Sequence, residues 1–287
     1  MASISVVLTA RSGFEGYTFL DEVFAEDRGR FLEVLIMDST PGYVDRSRRG
    51  LRHISLPGVS HHALITAGMV EAKGEWIWLS EDHARPLPGI IDAFENALRA
   101  NPGADLISGE TENLTSTEPW SFANFLLGLA DFWPPTKPRP DSASNANLFV
   151  RRSAILKSEL ATPGGFLYVT IPRLVAAGRY AHISDAIVDH TVHVTWRQCL
   201  AFQYVIAREG TAARRSCLPP RPLLVQFLRD ILAFGYYSAY KPFLTMRQVR
   251  GTSQCSLAMA LRVAVLGFPI AGGTMSADIA RLRKAFS

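Results

Sequence analysis

GEWIWLSEDHARPLP, Gly74 to Pro88, opens on a glycine, runs through a strand-like stretch, Glu75 to Leu79, and ends in three consecutive potential metal ligands, Glu81, Asp82 and His83, before two prolines. Solvated charges followed by proline are ordinary chemistry for the end of a strand. They are also what a divalent ion needs. A carboxylate and an imidazole at alternate positions can reach one ion, and an oxygen-rich site with one nitrogen suits Mn²⁺ or Mg²⁺. Such an ion would screen a diphosphate and stabilise it as a leaving group.

The flanking sequence decides what kind of sheet holds this strand. Upstream, Ala63 to Lys73 has helix-forming composition and Gly74 stops it; downstream, Pro88 to Ala100 reads as a helix opened by proline. Ile4 to Thr9 and Glu33 to Met37 are short aliphatic strands, and Phe14 to Ala25 between them carries apolar residues at helical spacing, which makes a βαβ unit. Ala104 to Ser108 and Asn147 to Val150 are further strands, Trp120 to Phe132 a helix, and Pro134 to Pro140 a stiff loop. The alternation predicts an α/β fold with a mostly parallel mixed sheet flanked by helices. Ligands of such sheets bind beyond the carboxyl ends of the strands, where Asp38 and Glu81-Asp82-His83 lie. No GxGxxG turn follows the first strand and no GxxxxGK[ST] occurs, which argues against a Rossmann dehydrogenase and a P-loop enzyme.

The 287 residues, 48% hydrophobic and 20% charged, suit a folded globular chain with an ample core. Cys199, Cys217 and Cys255 are widely spaced and odd in number, so neither a disulfide framework nor a zinc site is suggested, and a reducing cytosol fits. Ile4 to Leu8 is short for a signal sequence and has no basic residue before it, so it reads as a buried strand. The net charge of +4 is unevenly placed: from Arg214 to Ser287, eleven Lys or Arg face two acids, a local +9, whereas the preceding residues sum to −5. Two regions are therefore expected, 1–213 and 214–287, joined near the Pro219-Pro220-Arg221-Pro222 run.

Several blocks in order resemble the family 2 glycosyltransferases of the GT-A fold. They are ISVVLTA, EVLIMDST, the run from Ala67 through AGMVEAKGEWIWLSEDH with its following Pro-x-Pro, NANLFVRR from Asn145, and Arg173-Leu174 to Gly178 followed by Asp189-His190; together they span roughly Ser3 to Arg208. The resemblance implies a nucleotide-diphospho-sugar-binding domain and an inverting transfer from a nucleotide-sugar donor to a hydroxyl. Carried over by position, Thr9 and Ala10 would border the base, Asp38 would contact the uracil or ribose side, and Glu81 and His83 would replace the two aspartates of the DXD motif. Asp82, between them, is grouped with the nucleotide contacts. His190 would be a third metal or phosphate contact, and Asn145 and Asn147 would lie on the acceptor side. The implied cofactor is Mn²⁺ or Mg²⁺.

The departures matter equally. Ser39 stands in place of the usual second acid, and Ile65-Thr66 in place of Arg-Asn. The Glu-Asp pair expected just before Arg173 falls on Phe166-Leu167, with Tyr168, Val169 and Thr170 beyond, so no carboxylate is there. General-base catalysis needs a proton acceptor, and Glu159, Asp185, Glu110 and Glu112 are the alternatives by sequence. An impaired nucleotide-sugar-binding or scaffold protein is the competing function. His61-His62 reads as a polar stretch at a helix start with no third ligand spaced to it, while His193 joins His190 as a better candidate. Trp196 reads as a core residue beginning the helix Trp196 to Glu209, with closure over the nucleotide beside Arg197 as the alternative.

Pro222 to Tyr240 and Ser256 to Gly273 are apolar and helical, but each carries Arg or Asp in mid-run, which argues for interfacial rather than spanning helices. An anionic membrane surface is one partner for this basic appendage, and packing on the first region is the alternative. Nucleic acid is not expected, because the basic residues are scattered among leucines and no recognition motif is present. The acceptor is expected to be a sugar, lipid-linked or polysaccharide species, with the protein cytoplasmic and peripheral at the inner membrane face.

Overall fold

The computed structural model describes residues 2–11, 29–41, 50–113, 117–134, 143–217, 225, 228–229, 232, 235–250, 252 and 255–286. By internal packing the chain divides into two units, Met1–Glu112 with Pro138–Thr191, and Asn113–Lys137 with Val192–Ser287. The change of charge before Arg214 falls near the end of a continuous helix of the second unit, Trp196–Ser216, so composition and packing change at different places.

The first unit is an eight-stranded mixed sheet of order β3-β2-β1-β4-β7-β6-β8-β5. Its strands are β1 (Ile4–Ala10), β2 (Phe31–Asp38), β3 (Leu51–Ser55), β4 (Trp76–Glu81), β5 (Ala84–Pro86), β6 (Leu106–Glu112), β7 (Asn147–Arg151) and β8 (Tyr180–His190). The pairs β1–β2, β2–β3, β1–β4 and β6–β8 are parallel, while β4–β7, β6–β7 and β5–β8 are antiparallel. The mostly parallel arrangement expected from sequence is therefore present. The strands β3, β5 and β8 were not anticipated: LRHIS is half polar, ARP is three residues long, and the centre of β8 is exposed. The expected helix at Phe14 to Ala25 and most of the Pro134 to Pro140 loop lie outside the described residues.

Side chains alternate across the sheet and feed two cores. On one face Val6, Leu8, Trp76, Trp78 and Phe149 pack with Phe94 of the helix α2 (Ile90–Ala100), the Phe94 and Phe149 rings stacking at 4.2 Å. On the other, Val7, Leu35, Met37 and Leu79 pack with Leu64, Ile65 and Met69 of the helix α1 (His61–Glu71) and with Phe166 and Leu174. Gly68 permits this second contact, since a Cβ there would sit 2.3 Å from Val7 Cγ1. Gly74 is required for a related reason rather than as a helix stop. The helix already ends at Glu71, and a Cβ on Gly74 would meet the Ser5 nitrogen at 2.5 Å and the Ser3 carbonyl oxygen at 2.9 Å.

The second unit is helical: α3 (Pro119–Leu129) with a 3₁₀ turn at Ala130–Phe132, α5 (Trp196–Ser216), α6 (Lys241–Gln248) and α7 (Leu257–Phe286); α4 (Ile171–Ala176) belongs to the first unit. A capping box closes α5, with the Gln198 amide N–H donating to Thr195 Oγ1 and the Thr195 N–H to Gln198 Oε1. Phe122, Phe125, Leu126, Cys199, Val249, Met259, Val263 and Leu266 form the core of this unit. Trp196 is not part of it: the side chain is exposed, with the Arg197 guanidinium 5.2 Å from the ring centroid. None of the three cysteines is in a disulfide.

Candidate functional site

Strand polarity places the candidate residues on one edge of the sheet. Because β1, β2 and β4 are parallel, their last residues are neighbours, with Ala10 opposite Asp38 and Thr9 opposite Glu81. β7 runs antiparallel to β4 and starts opposite its end, Asn147 against Ser80, so Asn145 arrives at the same edge. β8 ends there too, where Ala84 of β5 pairs with His190. α1 begins at this edge as well, after β3, with Ser60 as its cap accepting from the Ala63 N–H. The helix start thus aims the positive end of its dipole along the edge.

Glu81, His83 and His190 converge. His190 Nε2 lies 2.9 Å and His83 Nε2 3.1 Å from Glu81 Oε2, and the two Nε2 atoms are 2.9 Å apart. One donor atom from each residue falls within 4.8 Å of the others. Ligands at right angles about an ion stand about 1.4 bond lengths apart, so Mg²⁺-type bonds of about 2.1 Å set a spacing of about 3 Å. The three observed separations match that spacing, and the donor set fits Mn²⁺ or Mg²⁺.

The surroundings orient this cluster. The Asp82 N–H donates to the Thr9 carbonyl (3.1 Å), and Asp82 Oδ1 stands 2.8 Å from His83 Nδ1, which leaves His83 Nε2 facing Glu81. Asn145 Nδ2 donates to Glu81 Oε1 at 3.3 Å. Burial alone would lower the His83 pKa, but the Asp82 and Glu81 carboxylates outweigh it and hold the imidazole at about 10. Burial likewise pushes Glu81 up, and His190 and His83 overcome it and keep the carboxyl well below its ordinary range.

Not every expected residue takes the expected position. Asn147, assigned to the acceptor side, is fully buried and uses its whole amide inside the sheet: Nδ2 donates to the Glu110 and Ala186 carbonyls, and Oδ1 accepts from Trp78 Nε1. Asp82, grouped with the nucleotide contacts, orients His83. Asp38 sits at the edge, but Oδ1 accepts from the Thr40 N–H and hydroxyl, and Oδ2 is 3.1 Å from His53 Nε2. Ala10 is buried and its carbonyl accepts from the Ser39 N–H. Thr9 Oγ1 is buried and has no hydrogen-bond partner among the described residues. His193 is exposed and pairs with Glu118 in the second unit.

Of the alternative proton acceptors, Glu159 is occupied. Arg173 binds both its oxygens, the Thr170 hydroxyl and Leu156 N–H donate to it, and although burial opposes them these partners lower its pKa. Glu110 is raised by burial first and then by Glu112 and Asp185. Where the carboxylate pair was expected, a π-helical turn at Phe166–Thr170 carries Tyr168, whose hydroxyl is 3.0 Å from His62 Nε2, with the two rings stacked. His62 is buried and neutral, its pKa lowered to about 4 by desolvation and then by His61 and Arg11. His61 Nε2 stands 3.6 Å from Glu81 Oε1. The polar-stretch reading of His61-His62 missed these contacts; the signal for them was the serine cap directly before a helix that starts at a strand's carboxyl end.

No family model matches the sequence, and no curated protein matches it. Among solved structures the chain is similar to a mannosyltransferase from Pyrobaculum calidifontis in complex with GDP-Man and Mn²⁺, at 15% identity, covering 97% of this chain and 86% of that one with a TM-score of 0.50. It is also similar to glucosyl-3-phosphoglycerate synthase from Mycobacterium tuberculosis in complex with Mn²⁺, UDP-glucose and phosphoglyceric acid (17% identity, 76% and 81% coverage, TM-score 0.48). A third is mannosyl-3-phosphoglycerate synthase from Rubrobacter xylanophilus (15% identity, 75% and 74% coverage, TM-score 0.44). At such identities it is the fold that is shared, and the chain has the GT-A-like glycosyltransferase fold.

Proposed function

We propose that the protein is a metal-assisted, inverting glycosyltransferase that moves a sugar from a nucleoside-diphosphate donor to a hydroxyl acceptor. The observation that carries this reading is the convergence of Glu81, His83 and His190 at the carboxyl edge of β1, β2 and β4. The mannosyltransferase of the same fold was solved with GDP-Man and Mn²⁺. These three side chains would hold Mn²⁺ or Mg²⁺, which supplies charge to stabilise a departing diphosphate. Thr9, at the carboxyl end of β1 beside Glu81, would border the donor nucleotide, and the start of α1 favours its negative charge.

In the transfer, the acceptor oxygen bonds to the anomeric carbon as the bond to the diphosphate oxygen breaks. The acceptor proton passes to a general base, and Tyr168 and His62 stand where the carboxylate pair was expected. Glu159 is bound to Arg173, and His62, which burial holds neutral down to about pH 4, resists taking a proton, so neither suits the role. The second reading, a nucleotide-sugar-binding protein with impaired chemistry, is favoured by the absence of a carboxylate at 166–170.

Calorimetric binding of UDP and GDP, with and without Mn²⁺, tests the metal: binding should strengthen with Mn²⁺, and Glu81→Ala with His83→Ala should abolish the gain. Equal metal dependence in the double variant sinks the assignment. Transfer or hydrolysis screened across nucleotide sugars separates the enzyme from the binding protein.

A further inference from the structure

We infer that the helical second unit carries a docking surface for an anionic lipid bilayer, which it meets lying flat. In α7, Leu257, Leu261, Val265 and Phe268 are exposed, Leu257 by 78% and Phe268 by 58%. Their spacing of four, four and three residues is one face of an α-helix, about 16 Å long at 1.5 Å per residue. Before α7, Leu232, Tyr236, Tyr240 and Phe243 are also exposed, Leu232 by 71%, the two tyrosines bounding a π-helical turn at Tyr236–Tyr240. One such stripe, with four further exposed large apolar side chains on the same unit, is more than scattered surface leucines.

Charge selects the occupant. From Arg214 onward the chain has eleven basic residues against two acids, and Arg229, Arg247 and Arg250 are exposed in the segment before α7. A symmetric dimer through this face would bring like charges together. A bilayer rich in anionic lipid accepts both the exposed apolar side chains and the arginines.

Packing decides between lying on the membrane and crossing it. Leu257–Ala277 is long and apolar enough to span, and less than half of it is buried. Yet Met259, Val263 and Leu266, opposite the stripe, are buried in the core of the unit. Farther along, a Cβ on Gly273 would be 2.3 Å from the Tyr204 carbonyl oxygen, and the Thr211 and Thr274 hydroxyls are 3.4 Å apart. α7 is therefore held along α5, and insertion across the bilayer would drag Arg208, Glu209, Arg214 and Arg215 of α5 into hydrocarbon.

The full chain should co-sediment with vesicles of phosphatidylcholine and phosphatidylglycerol at about 3:1 and not with pure phosphatidylcholine, and rising salt should release much of it because screening acts on the charges alone. Leu261→Glu with Phe268→Glu should abolish sedimentation. Arg247→Gln with Arg250→Gln should weaken it about 25-fold, at about five-fold per charge. Circular dichroism confirms that each variant is folded. The inference is overturned if the wild type stays in solution, if it behaves instead as a dimer that the glutamate variant dissociates, if the folded variants sediment unchanged, or if both salt and alkaline carbonate leave the wild type fully bound as a spanning helix would be.

Discussion

His62 offers a measurement in which the size of the effect comes directly from the site. The ring is buried against Tyr168 and its pKa falls from an ordinary 6.5 to about 4, because burial penalises the charged imidazolium and His61 and Arg11 add to the penalty. The group is a base whose folded value is depressed, so between those two pH values the unfolded chain binds the extra proton. Stability from this residue is therefore complete above the ordinary value and drains away as pH falls toward 4. The gap corresponds to at most about 3 kcal/mol, of which about 2 kcal/mol is lost between pH 7 and pH 5. His62→Gln removes the titration while keeping an oxygen that can accept the Tyr168 hydroxyl. Urea unfolding at both pH values, for both proteins, isolates the contribution, since the carboxylates common to the two cancel. The wild type should lose about 2 kcal/mol more than the variant. Equal losses would mean that His62 is already charged or hydrated in the folded state, and that burial does not hold it neutral.

Asn147→Ala should destabilise the protein by about 2–4 kcal/mol in chemical denaturation, because the Trp78 N–H and two buried carbonyls lose their partner; a change confined to acceptor affinity would restore its acceptor-side role. Glu159→Gln should cost stability, about 2 kcal/mol, through the Arg173 pair, while donor turnover under stabilising conditions stays near wild type; a collapse of turnover with the fold intact would make Glu159 the base. Gly68→Ala should lower the melting temperature, by overpacking of about 1–3 kcal/mol against Val7, and an unchanged melting temperature would show that α1 shifts freely.

The parts legible in the sequence were those governed by local pattern. The runs at Ile4, Glu33 and Glu75 are almost wholly apolar and lack a polar face for water, so they read as buried strands, and helices between them favour parallel pairing. That logic located Asp38 and Glu81 at strand ends and hence on one edge. The alternation of Glu81 and His83 around Asp82 was equally local. The resemblance supplied His190, whose 107-residue separation from His83 is bridged by the β5–β8 ladder, a pairing of three residues that no short pattern announces.

Tertiary structure decided the remainder, for the reason that a polar side chain does not carry its partners in its own sequence. Asn145 and Asn147 look alike in NANLFVRR, yet one lies before β7 and reaches Glu81 while the other lies inside the sheet and is consumed by it. Glu159 reads as an available base until Arg173 folds onto it. His61 and His62 read as loop polarity until the α1 start is set against Glu81 and Tyr168. Composition established that the C-terminal region is basic and apolar; which leucines face the unit's core and which face outward is set by how α7 rotates against α5, and only packing fixes that rotation.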